Sequence, residues 1–142
     1  MTHKLTTIQK QWIKDIPKYP QANGRVCDGV GFCCLGVFAH TQVDEPWQLI
    51  EDGTSAVGEI VPQFYEVADD DNFYASTLAP RDTKNLGIHG FHGAFKDSTG
   101  RKTKLEFKGV PYTTLVGLND SGTISPQEMA DFIEIHAVNI FK

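Results

Sequence analysis

The sequence predicts an α+β fold: about three helices, with a small antiparallel β-hairpin or sheet inserted before the last of them. Three observations carry this. Apolar residues recur at helical spacing near both ends of the chain. An apolar run, FCCLGVFAH, occupies residues 32–40. From Ile88 onward, large and small residues alternate between glycine-rich turns, the pattern of short strands.

The first helix is expected over residues 5–16, LTTIQKQWIKDI. Ile8, Trp12, Ile13 and Ile16 fall on one face, Thr6 or Thr7 caps the start, and Pro17 ends it. The following KYPQANGRVCDGVG reads as a loop. Phe32 to His40 is apolar on nearly all sides, which predicts a central buried helix. Gly36 within it costs about 1 kcal/mol of helix propensity relative to Ala, tolerable where a neighbouring element approaches closely. Residues 44–58 are polar and turn-rich. IVPQFYEVA, residues 60–68, is expected to form a short helix with Pro62 in its first turn. Asp69, Asp70 and Asp71 then break the pattern as a solvated loop, and residues 72–92 show no clear periodicity.

IHGFHGAF reads as a strand, KDSTGRK as a turn around Ser98 to Gly100, and TKLEFKGV as the returning strand. PYTTLVGL is one more short strand or an approach to the last helix. The C-terminal segment carries the sharpest signal. Ser125 at the N-cap, Pro126 at the first helical position and Glu128 at the third form a capping box, with Ile124 and Met129 as a hydrophobic staple. Met129, Phe132, Ile133, His136 and Ile140 share the apolar face.

The length of 142 residues suits a single globular domain spanning 1–142. A net charge of −5 argues against an extended nucleic-acid partner, which needs clustered Lys and Arg. It leaves room for one small phosphate-bearing ligand. Cys27, Cys33 and Cys34 are an odd set, and a reducing cytoplasm is the simpler setting for them. The N-terminus lacks the apolar core of a signal peptide, and the stretch from Val30 to Val43 is too short to span a bilayer. No membrane partner is expected.

Three constellations bear on chemistry. Cys33 and Cys34 lie near a predicted helix start, where a thiolate is stabilised by unpaired N–H groups. With His89 or His92 as base they would make a papain-like or NlpC/P60-like cysteine hydrolase. The FCCLGV stretch departs from the latter group's D-C-S-G-L-V pattern, because Phe32 stands where the acid should be. Small buried cysteines are the plainer reading. No metal site is expected: the cysteines form no C-x-x-C unit, and two histidines three apart on a strand face opposite sides. The segment ending at Glu128 approximates an EF-hand loop but has Gly117 where the first acidic ligand belongs. The third constellation is the hairpin itself. Lys96, Arg101, Lys102, Lys104 and Lys108 cluster there, with Arg81 and Lys84 upstream. Beside the Gly87 to Gly93 stretch these could receive phosphates, and one of the many aromatics could stack on a base.

The early Trp12 to Ile16 segment, the Phe32 to Val37 run and LNDSGTISPQEMADFIE, residues 118–134, together resemble a loosely defined group of small phage and prophage proteins. That group carries a W-x-x-x-L helix, a Y-C-C-L-G-V-type segment and a C-terminal L-N-D-x-G-x-S-F-x-E-I-A-D-x-I-E motif. Pro126 replaces the aromatic and Met129 the isoleucine, and residues 44–112 have no counterpart. The resemblance implies an origin rather than a chemistry. The expectation is a non-enzymatic accessory protein without cofactor. As a homo-oligomer in the host cytoplasm, it would hold a small anionic, nucleotide-like ligand to counter a host system. The site would comprise Arg81, Lys84, His89, His92, Arg101 and Lys102. A protein-blocking inhibitor of a host factor is the alternative binding function.

Overall fold

The computed structural model describes residues 3–22, 31–42, 47–49, 65–69, 72–74 and 80–142, the stretches from 47 to 80 by backbone alone. It is an α+β fold. The first helix, α1 (Thr7–Asp15), starts at a capping box: Thr6 Oγ1 accepts from Gln9 N–H at 3.1 Å and Gln9 Oε1 accepts from Thr6 N–H at 3.0 Å. Trp12 and Ile16 are buried and Ile13 is half-buried, but Ile8 is 40% exposed. Gln9 takes its place, because the end of a later helix lies beside it and the Leu86 carbonyl accepts from Gln9 Nε2 at 2.9 Å. At Pro17 the chain tightens into a 3₁₀ turn, Ile16–Lys18.

Helix α2 (Cys34–Gln42) is buried along Cys34 to Ala39. It starts two residues later than the apolar run suggested. Phe32 is extended, pairing in parallel with Gln21, while Phe32 N–H donates to Pro20 O at 2.8 Å and Ala22 N–H to Phe32 O at 3.0 Å. This crossing demands glycine at 31, where a Cβ would sit 2.3 Å from the Pro20 carbonyl oxygen.

A three-stranded antiparallel sheet follows, β1 (Trp47–Leu49), β2 (Tyr65–Asp69) and β3 (Asn72–Tyr74), in that order. The helix expected over 60–68 is therefore replaced at Tyr65 to Ala68 by a strand, and Asp69 belongs to that strand; residues 60–64, 70 and 71 lie outside the described residues. Tyr-Glu-Val-Ala reads with period two and includes an aromatic and a β-branched residue, a composition that favours a strand over a helix.

Helix α3 (Pro80–Leu86) leads into turns rather than the strand expected at Ile88 to Phe95. Gly87, Gly90 and Gly93 all have positive φ, at 83°, 67° and 69°. The spacing that resembled alternation is a glycine every third residue, each permitting a left-handed turn. Ile88 bridges to Phe141, Ala94 to Thr114 and Lys96 to Lys102. The two-stranded sheet is β4 (Leu105–Phe107) with β5 (Val110–Tyr112), joined through Lys108 and Gly109 at φ 50° and 80°. The main reversal thus lies later than Ser98 to Gly100, where only the Lys96–Lys102 bridge closes a turn.

Helix α4 (Leu115–Asp120) is capped by Thr114. Helix α5 (Pro126–Ile135) has the expected capping box: Glu128 N–H to Ser125 Oγ at 3.1 Å and Ser125 N–H to Glu128 Oε1 at 3.0 Å. It breaks at His136 into a short α6 (Ala137–Ile140). Ile124 and Met129 are both in the core. Trp12, Leu35, Leu86, Ile88, Phe95, Leu115, Leu118, Ile133 and Ile140 are fully inaccessible and form a single hydrophobic cluster drawing on α1 to α6.

Candidate functional site

The Trp12 segment and the Leu118 segment, from opposite ends of the chain, meet at the start of α2. Cys33 occupies the N-cap. Its Sγ accepts from Gly36 N–H at 3.3 Å, as a serine hydroxyl would, and its carbonyl accepts from Val37 N–H at 3.0 Å. The next orphan donor, Cys34 N–H, goes to Asn119 Oδ1 at 3.2 Å. Asn119 Nδ2 donates to Ala22 O at 2.8 Å and to Asp120 Oδ1 at 3.2 Å, and the Asn119 carbonyl accepts from Gln21 Nε2 at 2.9 Å. One buried amide therefore ties α4, the 20–22 segment and α2 together. Trp12 Nε1 adds a bond to Cys34 O at 2.7 Å.

Both cysteines are reduced and buried, at 3% and 2% exposure. The Cys34 thiol is pushed well up, first by burial and then by the neighbouring Cys33. A pocket touching Cys34, Asn119, Tyr19, Phe32 and Met129 has a free volume of about 10 Å³, enough for about one water and no substrate. This is an apolar helix start sealed by an amide, and burial that raises a thiol pKa suppresses its nucleophilicity. Cys27 lies outside the described residues.

The basic residues divide differently. Arg81 is exposed on α3 and its guanidinium grips the buried Asp82 carboxylate, Nε to Oδ1 at 3.1 Å and Nη2 to Oδ2 at 3.4 Å. Lys84 is exposed on the same helix. His92 is exposed in the glycine turns, where its carbonyl accepts from Val116 N–H at 3.2 Å. His89 and His92 both lie in turns and not on the expected strand, so they are not set on its opposite faces. His89 is half-buried beside the C-terminal segment. Its protonation is pushed down by burial first, then by the charges of Lys96 and Lys142, against a hydrogen bond with the Phe141 backbone that raises it.

Lys96 is held by a reciprocal pair of bonds to Asn139, its N–H donating to Asn139 O and its carbonyl accepting from Asn139 Nδ2, both at 2.9 Å. The antiparallel bridge puts Lys102 directly opposite it. Asp97, next in the chain, turns Oδ1 into its own loop: Thr99 N–H at 2.8 Å, Thr99 Oγ1 at 2.6 Å and Arg101 N–H at 3.1 Å. These bonds, with some help from Lys96, hold its carboxyl below the usual range. Lys96 and Lys142 thus both bear on His89, and Lys102 sits across the bridge from Lys96. No local pattern marks Lys142; its N–H donates to Gly87 O at 2.8 Å beside the Ile88–Phe141 bridge, next to His89.

Glu128, the residue at the last EF-hand position, spends Oε1 on its own cap and Oε2 on Lys108 Nζ at 3.3 Å. Among the described residues no group of three or more His, Cys, Asp or Glu side chains is placed to share a metal ion, and no helix is long and apolar enough to cross a membrane. No protein-family model, curated protein or solved structure matches the chain.

Proposed function

We propose that this protein is a binding protein of phage or mobile-element origin that holds a small anionic, nucleotide-like ligand and so withdraws it from a host system. The origin rests on the motif resemblance. The ligand class rests on one observation: Lys96 and Lys102 face each other across an isolated antiparallel bridge, and Lys96 and Lys142 both lie within electrostatic reach of His89. Like charges directly opposite each other on a strand pair are destabilising, and an anion between them removes that cost. On this reading the binding face comprises His89 and Lys102 from the expected set, with Lys96 and Lys142 added. Arg81 contributes less, because its guanidinium is already engaged by Asp82. The sealed thiols give a nucleophilic role for Cys33 or Cys34 no support.

Thermal denaturation against a panel of mono-, di- and cyclic nucleotides tests the reading. A ligand at a hundred times its Kd stabilises by about 2.7 kcal/mol, which for a chain of this size raises Tm by roughly 10 °C. The shift should vanish in Lys96→Ala/Lys102→Ala. It should also grow as pH falls through the His89 range, because a bound anion favours imidazolium. A shift that survives the double substitution refutes this site, and no shift with any nucleotide refutes the ligand class.

A further inference from the structure

A separate face of the molecule has the character of a protein-docking groove. Between the β4–β5 hairpin and α5 runs a cleft of about 290 Å³, lined by Glu106, Phe107, Lys108, Glu128, Asp131, Phe132, Ile135 and His136. Its floor is aromatic. Phe107 and Phe132 meet edge to face at 6.2 Å, and the His136 ring lies 4.5 Å from Phe132. Partial burial pushes His136 toward its neutral form, so the floor carries little charge. The aliphatic wall is open: Ile135 is 74% exposed.

The rim is acidic. Lys108 is its one cation, and that charge is taken up by Glu128 at 3.3 Å and by the Phe107 ring face at 5.2 Å. Glu106 on the hairpin and Asp131 on the helix remain as exposed carboxylates on the two banks. An apolar floor between two acidic banks complements a segment that carries an aliphatic side chain between Lys or Arg residues. We infer that this groove docks a short basic amphipathic segment of another protein. The occupant's aliphatic anchor would lie against Ile135 and Phe132, and its cations would face Glu106 and Asp131. Such an arrangement supplies specificity through charge and affinity through the buried anchor. It is independent of the anion face, which uses other residues and the opposite charge.

The test is a titration of the ¹⁵N-labelled full chain with a short helical peptide of leucine and lysine, beside its counterpart with glutamate for every lysine. Expected are amide shifts confined to residues 105–110 and 128–138, no response to the glutamate peptide, and weakening in salt. Glu106→Lys/Asp131→Lys should weaken binding at least tenfold, and Ile135→Asp by a similar factor, with both variants retaining the wild-type spectrum elsewhere. Shifts centred outside the groove, equal binding of the glutamate peptide, or an affinity indifferent to both variants would overturn the assignment. So would concentration-dependent self-association lost in Ile135→Asp, since the occupant would then be a second copy of this chain.

Discussion

Replacing Asn119 by Ala removes a single side chain that is 1% exposed and holds three segments together. Two costs add. The buried N–H of Cys34 loses its acceptor at the first position of α2, and an unsatisfied buried donor costs about 1–3 kcal/mol. The bond to the Ala22 carbonyl goes too, worth about 1 kcal/mol net. The sum is about 2–4 kcal/mol, a fall in Tm of roughly 10 °C for a chain of this length. Urea denaturation followed by circular dichroism reads it directly. Asn119→Asp separates the two bonds. The carboxylate still accepts from Cys34 N–H, at a helix N-terminus that favours negative charge, but faces the Ala22 carbonyl with no donor. Burial and the adjacent Asp120 raise the carboxyl pKa of this variant in the folded state above its unfolded value. Its stability is then closest to wild type below about pH 4, where the acid is protonated in both states, and declines as pH rises toward the folded pKa. A loss below about 0.5 kcal/mol in Asn119→Ala, or an Asp variant whose deficit does not change with pH, would refute the reasoning.

Three further outcomes follow from the same geometry. Iodoacetamide at neutral pH should leave Cys33 and Cys34 unmodified in the folded protein and alkylate both in denaturant, which peptide mass spectrometry reads; rapid labelling of either in the native state would contradict their burial. Gly31→Ala should destabilise far more than Gly100→Ala in matched melts. The first forces a Cβ to 2.3 Å from the Pro20 oxygen, whereas the second meets nothing within 4 Å and pays only for its φ of 80°, about 1 kcal/mol. Ser125→Ala should cost about 1 kcal/mol through the lost cap. In the wild type, the Glu128 carboxyl is held low chiefly by the Ser125 backbone N–H. Its contribution is therefore present above the ordinary carboxylate pKa and fades as pH falls through the folded value, a dependence that Glu128→Gln should abolish.

The helices at the two ends were legible because their signals are local. Capping depends on residues within four positions of each other, so Ser125 and Glu128 announce α5 without reference to the rest of the chain. For α1 the local signals were Thr6 or Thr7 before the apolar face and Pro17 after it, the Thr6–Gln9 box being visible only in the structure, and the burial of the CCLGV run follows from its lack of any polar face. The middle was less readable. Period-two and period-three patterns look alike over eight residues, so the glycines between Ile88 and Phe95 passed for strand alternation. Tyr65 to Ala68 is short enough that a nearby proline suggested a helix.

The sequence by itself determined the α+β class, the capped terminal helices and the apolar character of the paired cysteines, since each follows from neighbours along the chain. Tertiary structure alone decided that Asn119 seals the cysteine helix and that Lys96 and Lys142 converge on His89. Those are contacts between residues far apart in the chain. They are set by how the core packs and by which backbone groups must find partners once water is excluded, and no local pattern records them.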